Sequence, residues 1–150
     1  MIVHPPAASA QGRHAYALRV YYEDTDAGGV VYHANYLRFA ERARTEALRE
    51  AGAPHAEMAS LHGLMFMVRR VKVDYLAPAR LDDSLLVLTE SLSIRAASVE
   101  LRQSVLRGEG VLAVLELQLA CVRLADGRPG RIPPRWRQAL ALGWQAPALG

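Results

Sequence analysis

Between Tyr21 and Tyr36 the chain reads Tyr-Tyr-Glu-Asp-Thr-Asp-Ala-Gly-Gly-Val-Val-Tyr-His-Ala-Asn-Tyr. Two aspartates, Asp24 and Asp26, precede a glycine pair, and His33 and Asn35 follow it. A strand ending in the aspartates, a turn at Gly28-Gly29 and a helix opening after His33 would gather a carboxylate, an imidazole and a helix N-terminus around one small volume. The first turn of a helix carries unpaired N–H groups and the positive end of the dipole, so it favours a developing oxyanion. Those parts can hydrolyse an acyl bond without a metal ion or a serine nucleophile.

The flanking sequence must build the strand and the helix that hold them. From Ala15 to Glu23, Tyr16, Leu18, Val20 and Tyr22 alternate with Arg19 and Glu23, which predicts a half-buried strand. Asn35 is the predicted helix N-cap. The segment from Tyr36 to about Ala51 has good helix formers and no proline. Tyr36, Phe39, Ala40, Ala43, Ala47 and Leu48 share one stripe, while Arg38, Glu41, Arg42, Arg49 and Glu50 project elsewhere. Gly52 suits the C′ position and Pro54 prevents continuation. Small alanines on the buried stripe would let a sheet come close.

The remainder is mostly strand. Residues 55 to 62 make a short helical turn. Met65, Met67, Val71, Val73 and Tyr75 then alternate with Arg70, Lys72 and Asp74. Leu86 to Ile94 and Val99 to Val105 predict two further strands, the second closed by Gly108-Glu109-Gly110. Val111 to Cys121 has the clearest period-two face and ends before Asp126-Gly127. After Pro133-Pro134, Arg135 to Leu142 reads as a short helix. Strand, long helix, then four strands implies an α+β fold whose antiparallel sheet wraps the helix. Residues 1–14 read as a loose leader, 15–142 as one domain and 143–150 as a tail.

Composition excludes several classes. The chain has 150 residues and 51% hydrophobic residues, enough for a core without staples. One cysteine, Cys121, rules out an intrachain disulfide and a cysteine-rich metal site, and the histidines lack ligand spacing. The net charge of +3 is carried almost wholly by arginine, with Lys72 the only lysine. That excess is too small to argue for nucleic acid, and no interleaved aromatic and basic pattern supports it. No apolar run reaches membrane-spanning length and no signal peptide precedes the domain. The expectation is a cytoplasmic protein without a cofactor.

The Tyr21–Tyr36 block and the helix text Arg42-Ala43-Arg44-Thr45-Glu46 resemble the hotdog-fold acyl-CoA thioesterases of the 4-hydroxybenzoyl-CoA thioesterase-like group. Within that group the likeness is to the bacterial branch associated with the Tol-Pal system. Val73 to Ala79 and Gly127 to Pro134 add weaker support, so the resemblance spans about residues 15 to 140. It implies a βαββββ hotdog fold that forms homodimers, often assembling to homotetramers, with active sites at the dimer interface. It implies acyl-CoA as substrate, with free acid and coenzyme A as products. It also implies Asp26 as the catalytic carboxylate and His33 as the histidine of the Tol-Pal-associated branch.

On that reading Asp26 acts either as nucleophile, through a mixed anhydride, or as base for water. Burial beside Tyr22 and Tyr32 would raise its pKa. Backbone N–H groups near His33 would meet the oxyanion, and the imidazole would bond the carbonyl or orient water. Tyr22, Val30, Tyr32, Asn35 and Glu41 are the candidate substrate contacts, with Asn35 read first as a cap and Glu41 equally a solvated or interface carboxylate. Asp24 reads as structural and Cys121 as core. Arg69, Arg70, Arg107 and the tail arginines 128, 131, 135 and 137 are solvated or meet coenzyme A phosphates or an acidic acyl carrier protein. A hotdog dehydratase is a competing reading, weakened because that family's histidine-glycine-proline spacing is absent. A carrier-protein-binding scaffold of membrane biogenesis with weak hydrolase activity is another.

Overall fold

The computed structural model describes residues 13–141. Strand β1 spans Arg13–Arg19, helix α1 Asn35–Glu50, helix α2 His55–His62 and strand β2 Leu64–Tyr75. Strands β3, Ser84–Ile94, β4, Ser98–Arg107, and β5, Gly110–Arg123, follow, and helix α3, Pro134–Ala141, closes the order. The five strands form one antiparallel sheet in the order β1-β3-β4-β5-β2. This is the expected βαββββ arrangement with two short helices added.

Helix α1 lies against one face of that sheet, on the β1 and β3 side. Phe39, Ala40, Ala43, Ala47 and Leu48 are fully buried along its inner stripe, as the spacing predicts. Burying Phe39 and Leu48 stabilises by roughly 1.5–3 kcal/mol each. The helix ends at Gly52, whose φ of 76° favours a residue without a Cβ. Opposite it, Val99, Leu101 and Val105 of β4 and Ala113, Leu115, Leu117, Leu119 and Cys121 of β5 point inward, and Cys121 is fully buried.

Four expectations are corrected. Residues Arg13 and His14, assigned to the leader, belong to β1, which stops at Arg19, short of Glu23. A 3₁₀ turn over Tyr22–Asp24 replaces the rest of the strand, closed by the Asp24 N–H donating to the Tyr21 carbonyl at 3.0 Å. Tyr22 is therefore turned out to solvent at 81% exposure instead of inward beside Val20. The helix N-cap is Ala34, and Asn35 already lies in the first helical turn. In β2 a bulge between Val68 and Arg70 breaks the alternation. Met65 and Met67 pair with Val122 and Ala120, while Val71 and Val73 pair with the inward-facing Leu117 and Leu115. One extra residue thus sends the methionines to the face opposite the valines. Leu142, the last residue of the predicted terminal helix, and the tail at 143–150 lie outside the described residues.

Candidate active site

The Asp24–Asn35 segment is held by bonds that reach across it. Asp24 is buried, and its Oδ1 accepts from Asn35 Nδ2 at 2.9 Å. Its Oδ2 accepts the Tyr21 N–H at 2.8 Å, and its carbonyl accepts the Tyr32 N–H at 2.9 Å. Asp24 therefore latches the start of the loop to the start of α1. Asn35 spends its side chain on this latch and not on a helix cap.

Between the latched ends the chain makes a tight reversal. The Asp26 N–H donates to the Val30 carbonyl at 2.8 Å, and the Gly29 N–H returns to the Asp26 carbonyl at 3.1 Å. Gly29 has φ 81°, a conformation that costs a residue with a Cβ. Asp26 is exposed, and its Oδ1 accepts the Gly28 N–H at 2.8 Å. Its other carboxylate oxygen has no protein donor among the described residues, so it is free for a reactant. A Cβ at Gly28 would sit 3.3 Å from Oδ1, so Gly28 keeps space around this carboxylate.

The loop is anchored to the chain between β2 and β3. The Val31 N–H donates to the Ala79 carbonyl at 2.8 Å, and Val30 bridges to Arg80. The Tyr36 hydroxyl accepts the Ala79 N–H at 3.1 Å, and the Tyr75 hydroxyl donates to the His33 carbonyl at 2.8 Å. Burial raises the Tyr36 pKa, so its hydroxyl stays protonated. These contacts frame an open groove of about 310 Å³ lined by Val31, His33, Tyr36, Tyr75, Leu76 and Pro78. The His33 ring lies 4.6 Å from Tyr32 and 6.4 Å from Tyr75, centroid to centroid.

Helix α1 begins at the groove. The Asn35 N–H goes to the Tyr32 carbonyl at 2.8 Å and the Leu37 N–H to Ala34 at 3.1 Å. His33 and Ala34 give no N–H to a backbone carbonyl among the described residues. Those two amides, at the positive end of the helix, can meet a developing oxyanion.

Of the candidate residues, His33 is the one on the groove wall. Tyr32 is half exposed beside it, and Val30 is half-buried in the loop ladder. Asp26 does not line the groove within one protomer, and Tyr22 projects away from it. The expected burial of Asp26 beside aromatic rings is absent in the single protomer. Glu41 lines a separate pocket with Arg44, Thr45 and His55. Three of the candidate phosphate arginines are tied elsewhere: Arg107 donates to Asp83 at 2.7 Å, Arg135 donates to Glu57 at 2.9 Å over the Trp136 ring, and Arg137 donates to the Arg95 carbonyl at 2.7 Å. Sequence reasoning missed Tyr36 and the Tyr75–Pro78 wall as site residues. The Val73-Asp74-Tyr75-Leu76-Ala77-Pro78 text carried that signal.

Known proteins resemble this chain over the same segment. The model of a family described as the thioesterase-like superfamily matches residues 20–140. The chain belongs to that superfamily. An acyl-CoA thioesterase of Haemophilus influenzae is 41% identical over 125 residues, covering 83% of this chain and 92% of that protein. An acyl-CoA thioester hydrolase of Escherichia coli is 47% identical over 118 residues, covering 77% and 87%. Among solved structures, a probable thioesterase from Bartonella henselae superposes with a TM-score of 0.76 at 36% identity, covering 81% and 99%.

Proposed function

We propose that this protein hydrolyses acyl-CoA thioesters to free acid and coenzyme A, with Asp26 as the reacting carboxylate and His33 beside the carbonyl. The observation that carries this is the latch. A buried Asp24–Asn35 bond holds the loop that carries an exposed aspartate with a free oxygen, and His33 on the same loop stands on the wall of an apolar groove that meets a helix N-terminus. The curated relatives named as acyl-CoA thioester hydrolases support the substrate class.

In the proposed reaction the thioester carbonyl lies near the His33 and Ala34 amides. Asp26 either attacks it, releasing the thiolate and leaving a mixed anhydride that water then hydrolyses to the free acid and the Asp26 carboxylate, or takes a proton from the water that attacks the carbonyl and expels the thiolate. The His33 imidazole orients the carbonyl or the water. Tyr32, Val30 and the outlying Tyr22 are the side chains proposed to meet the incoming substrate. Asn35 acts through Asp24 as a positioning residue.

The working unit is proposed to be a homodimer, itself able to pair into a tetramer. Strand β2 pairs only with β5, which leaves one edge unpaired and exposes Val68, Val71 and Tyr75. An exposed apolar edge of this length is a template for a second chain. Tyr75 ends that strand at the groove, so a second copy on the edge would complete the site around Asp26. Thiol release from a panel of aliphatic and aromatic acyl-CoA thioesters tests the reading. Release is expected. Dehydration of a 3-hydroxyacyl thioester without thiol release, or carrier-protein binding without turnover, would contradict it.

A further inference from the structure

Arg44 is 8% exposed and is the only buried cationic side chain among the described residues. A guanidinium has five N–H donors. One, on Nη1, goes to Gln103 Oε1 at 3.0 Å, and no carboxylate of the described residues lies within ion-pair distance. Gln103 is fully buried and committed, its Nε2 donating to the Ala40 carbonyl and to Thr89 Oγ1, both at 2.9 Å. A charge taken out of water without a counter-charge is costly and calls for a partner.

Arg44 also lines a pocket of about 210 Å³ with Glu41, Thr45, His55, Phe66 and Val68. Glu41 stands one turn earlier on the same helix, is exposed, and has no ion-pair partner among the described residues. Within the protomer Glu41 favours the charge on Arg44 from a distance but makes no ion pair with it, and Arg44 bonds Gln103 instead. The pocket reaches Phe66 and Val68 in the first half of β2 and Leu119 of β5. Val68 is 45% exposed, and Val71, next on the helix side past the bulge, is 37% exposed, since α1 packs chiefly on β1 and β3 and α2 covers only part of β2, which leaves this strip bare.

We propose that a second copy of this chain covers this pocket, and that Glu41 of each copy supplies the carboxylate that Arg44 of the other lacks. The inference rests on the dimer reading above and assigns its central contact. Pairing β2 antiparallel to itself about its middle is a two-fold operation. It brings the Val68 strips, and with them the two pockets, next to the axis. A two-fold interface makes every contact twice, so one Glu41–Arg44 pair implies its mate. Charge complementarity and the bare apolar strip favour this occupant over a small anion.

The test is charge reversal read by sedimentation equilibrium. Glu41→Arg changes an exposed side chain and leaves the protomer folded by circular dichroism. Its dimer dissociation constant is expected to rise by at least about 100-fold, as for loss of a desolvated interfacial charge pair. Arg44→Glu alone should be equally monomeric. Mixing the two reversed variants should restore a heterodimer, because opposite charges again face each other at both places. A Glu41→Arg protein that dimerises like wild type overturns the inference even if Arg44→Glu fails to fold, and points to a small anion as the pocket's occupant. Two folded, monomeric variants that do not associate when mixed also overturn it. A wild type that is itself monomeric overturns the dimer reading and this inference with it.

Discussion

Two concave regions lie along α1, and they are held by different bonds. The groove at its N-terminus is framed by bonds to backbone groups: the Val31 N–H to the Ala79 carbonyl, the Ala79 N–H to the Tyr36 hydroxyl, and the Tyr75 hydroxyl to the His33 carbonyl. Its walls are apolar and aromatic, and its polar groups stand at the rim. The pocket at mid-helix is organised by side chains around a buried charge, with Arg44, Gln103 and Thr89 in one network. The first region suits binding and chemistry, because it offers uncommitted amides and an imidazole beside a hydrophobic wall. The second suits assembly, because its buried arginine has no ion-paired acid among the described residues. Each is incomplete in one protomer: the groove has no carboxylate on its wall, and the pocket has no acid paired to its arginine. Both border β2, an edge strand of the sheet.

That contrast orders the predictions. If the two regions are joined by assembly, diluting the enzyme until the dimer dissociates abolishes turnover. Activity measured against concentration, alongside light scattering, checks this, and a fully active monomer would separate the regions. Asp24→Ala should act on the groove alone. It strips the acceptor from the Tyr21 N–H and from Asn35 Nδ2, costing roughly 3 kcal/mol by thermal unfolding. Turnover should fall at least tenfold, with the dimer retained. A stable, fully active variant would show that the latch is dispensable.

Tyr75→Phe removes the bond to the His33 carbonyl and is expected to lower turnover by about 3-fold to 10-fold, the rate equivalent of about 1 kcal/mol. The substrate KM should change little. The smallest effect belongs to the mid-helix pocket. Burial, with Arg44 close by, holds the His55 pKa below 6.5. The unfolded chain then binds this proton more readily than the folded one, so stability declines as pH falls below about 6.5. His55→Gln should flatten that part of the stability–pH curve, as followed by denaturant titration. An unchanged slope would mean that His55 is not held neutral.

Much of the architecture was legible because each element had a local cause. The α1 stripe from Phe39 to Leu48, the Gly52 stop and the inward faces of β4 and β5 follow from spacing alone. The Asp-Gly-Gly-His order likewise placed the loop at the mouth of a helix. What spacing could not carry was any feature decided by a partner distant in sequence. Asn35 has the residue type of a cap, but Asp24 claims its side chain. Gln103 interrupts the apolar face of β4 because Arg44 and Ala40, on the helix, use its amide. The Arg69 bulge flips Met65 and Met67 against Val71, and no alternation pattern announces an inserted residue. The Tyr75–Pro78 wall becomes part of the site only when the sheet brings the end of β2 to His33.

Asp26 tests the centre of this picture most directly. Wild type and Asp26→Asn, which preserves size and removes the charge, would be assayed together for thiol release on the same acyl-CoA panel. Both proteins would first be checked for equal dimer content and melting temperature. The expected result is a fall in kcat/KM of at least about 100-fold for the variant, the range for loss of a nucleophile or general base. Near-normal thiol release by a folded, dimeric Asp26→Asn protein would contradict the assignment and return the chemistry to another group at the groove.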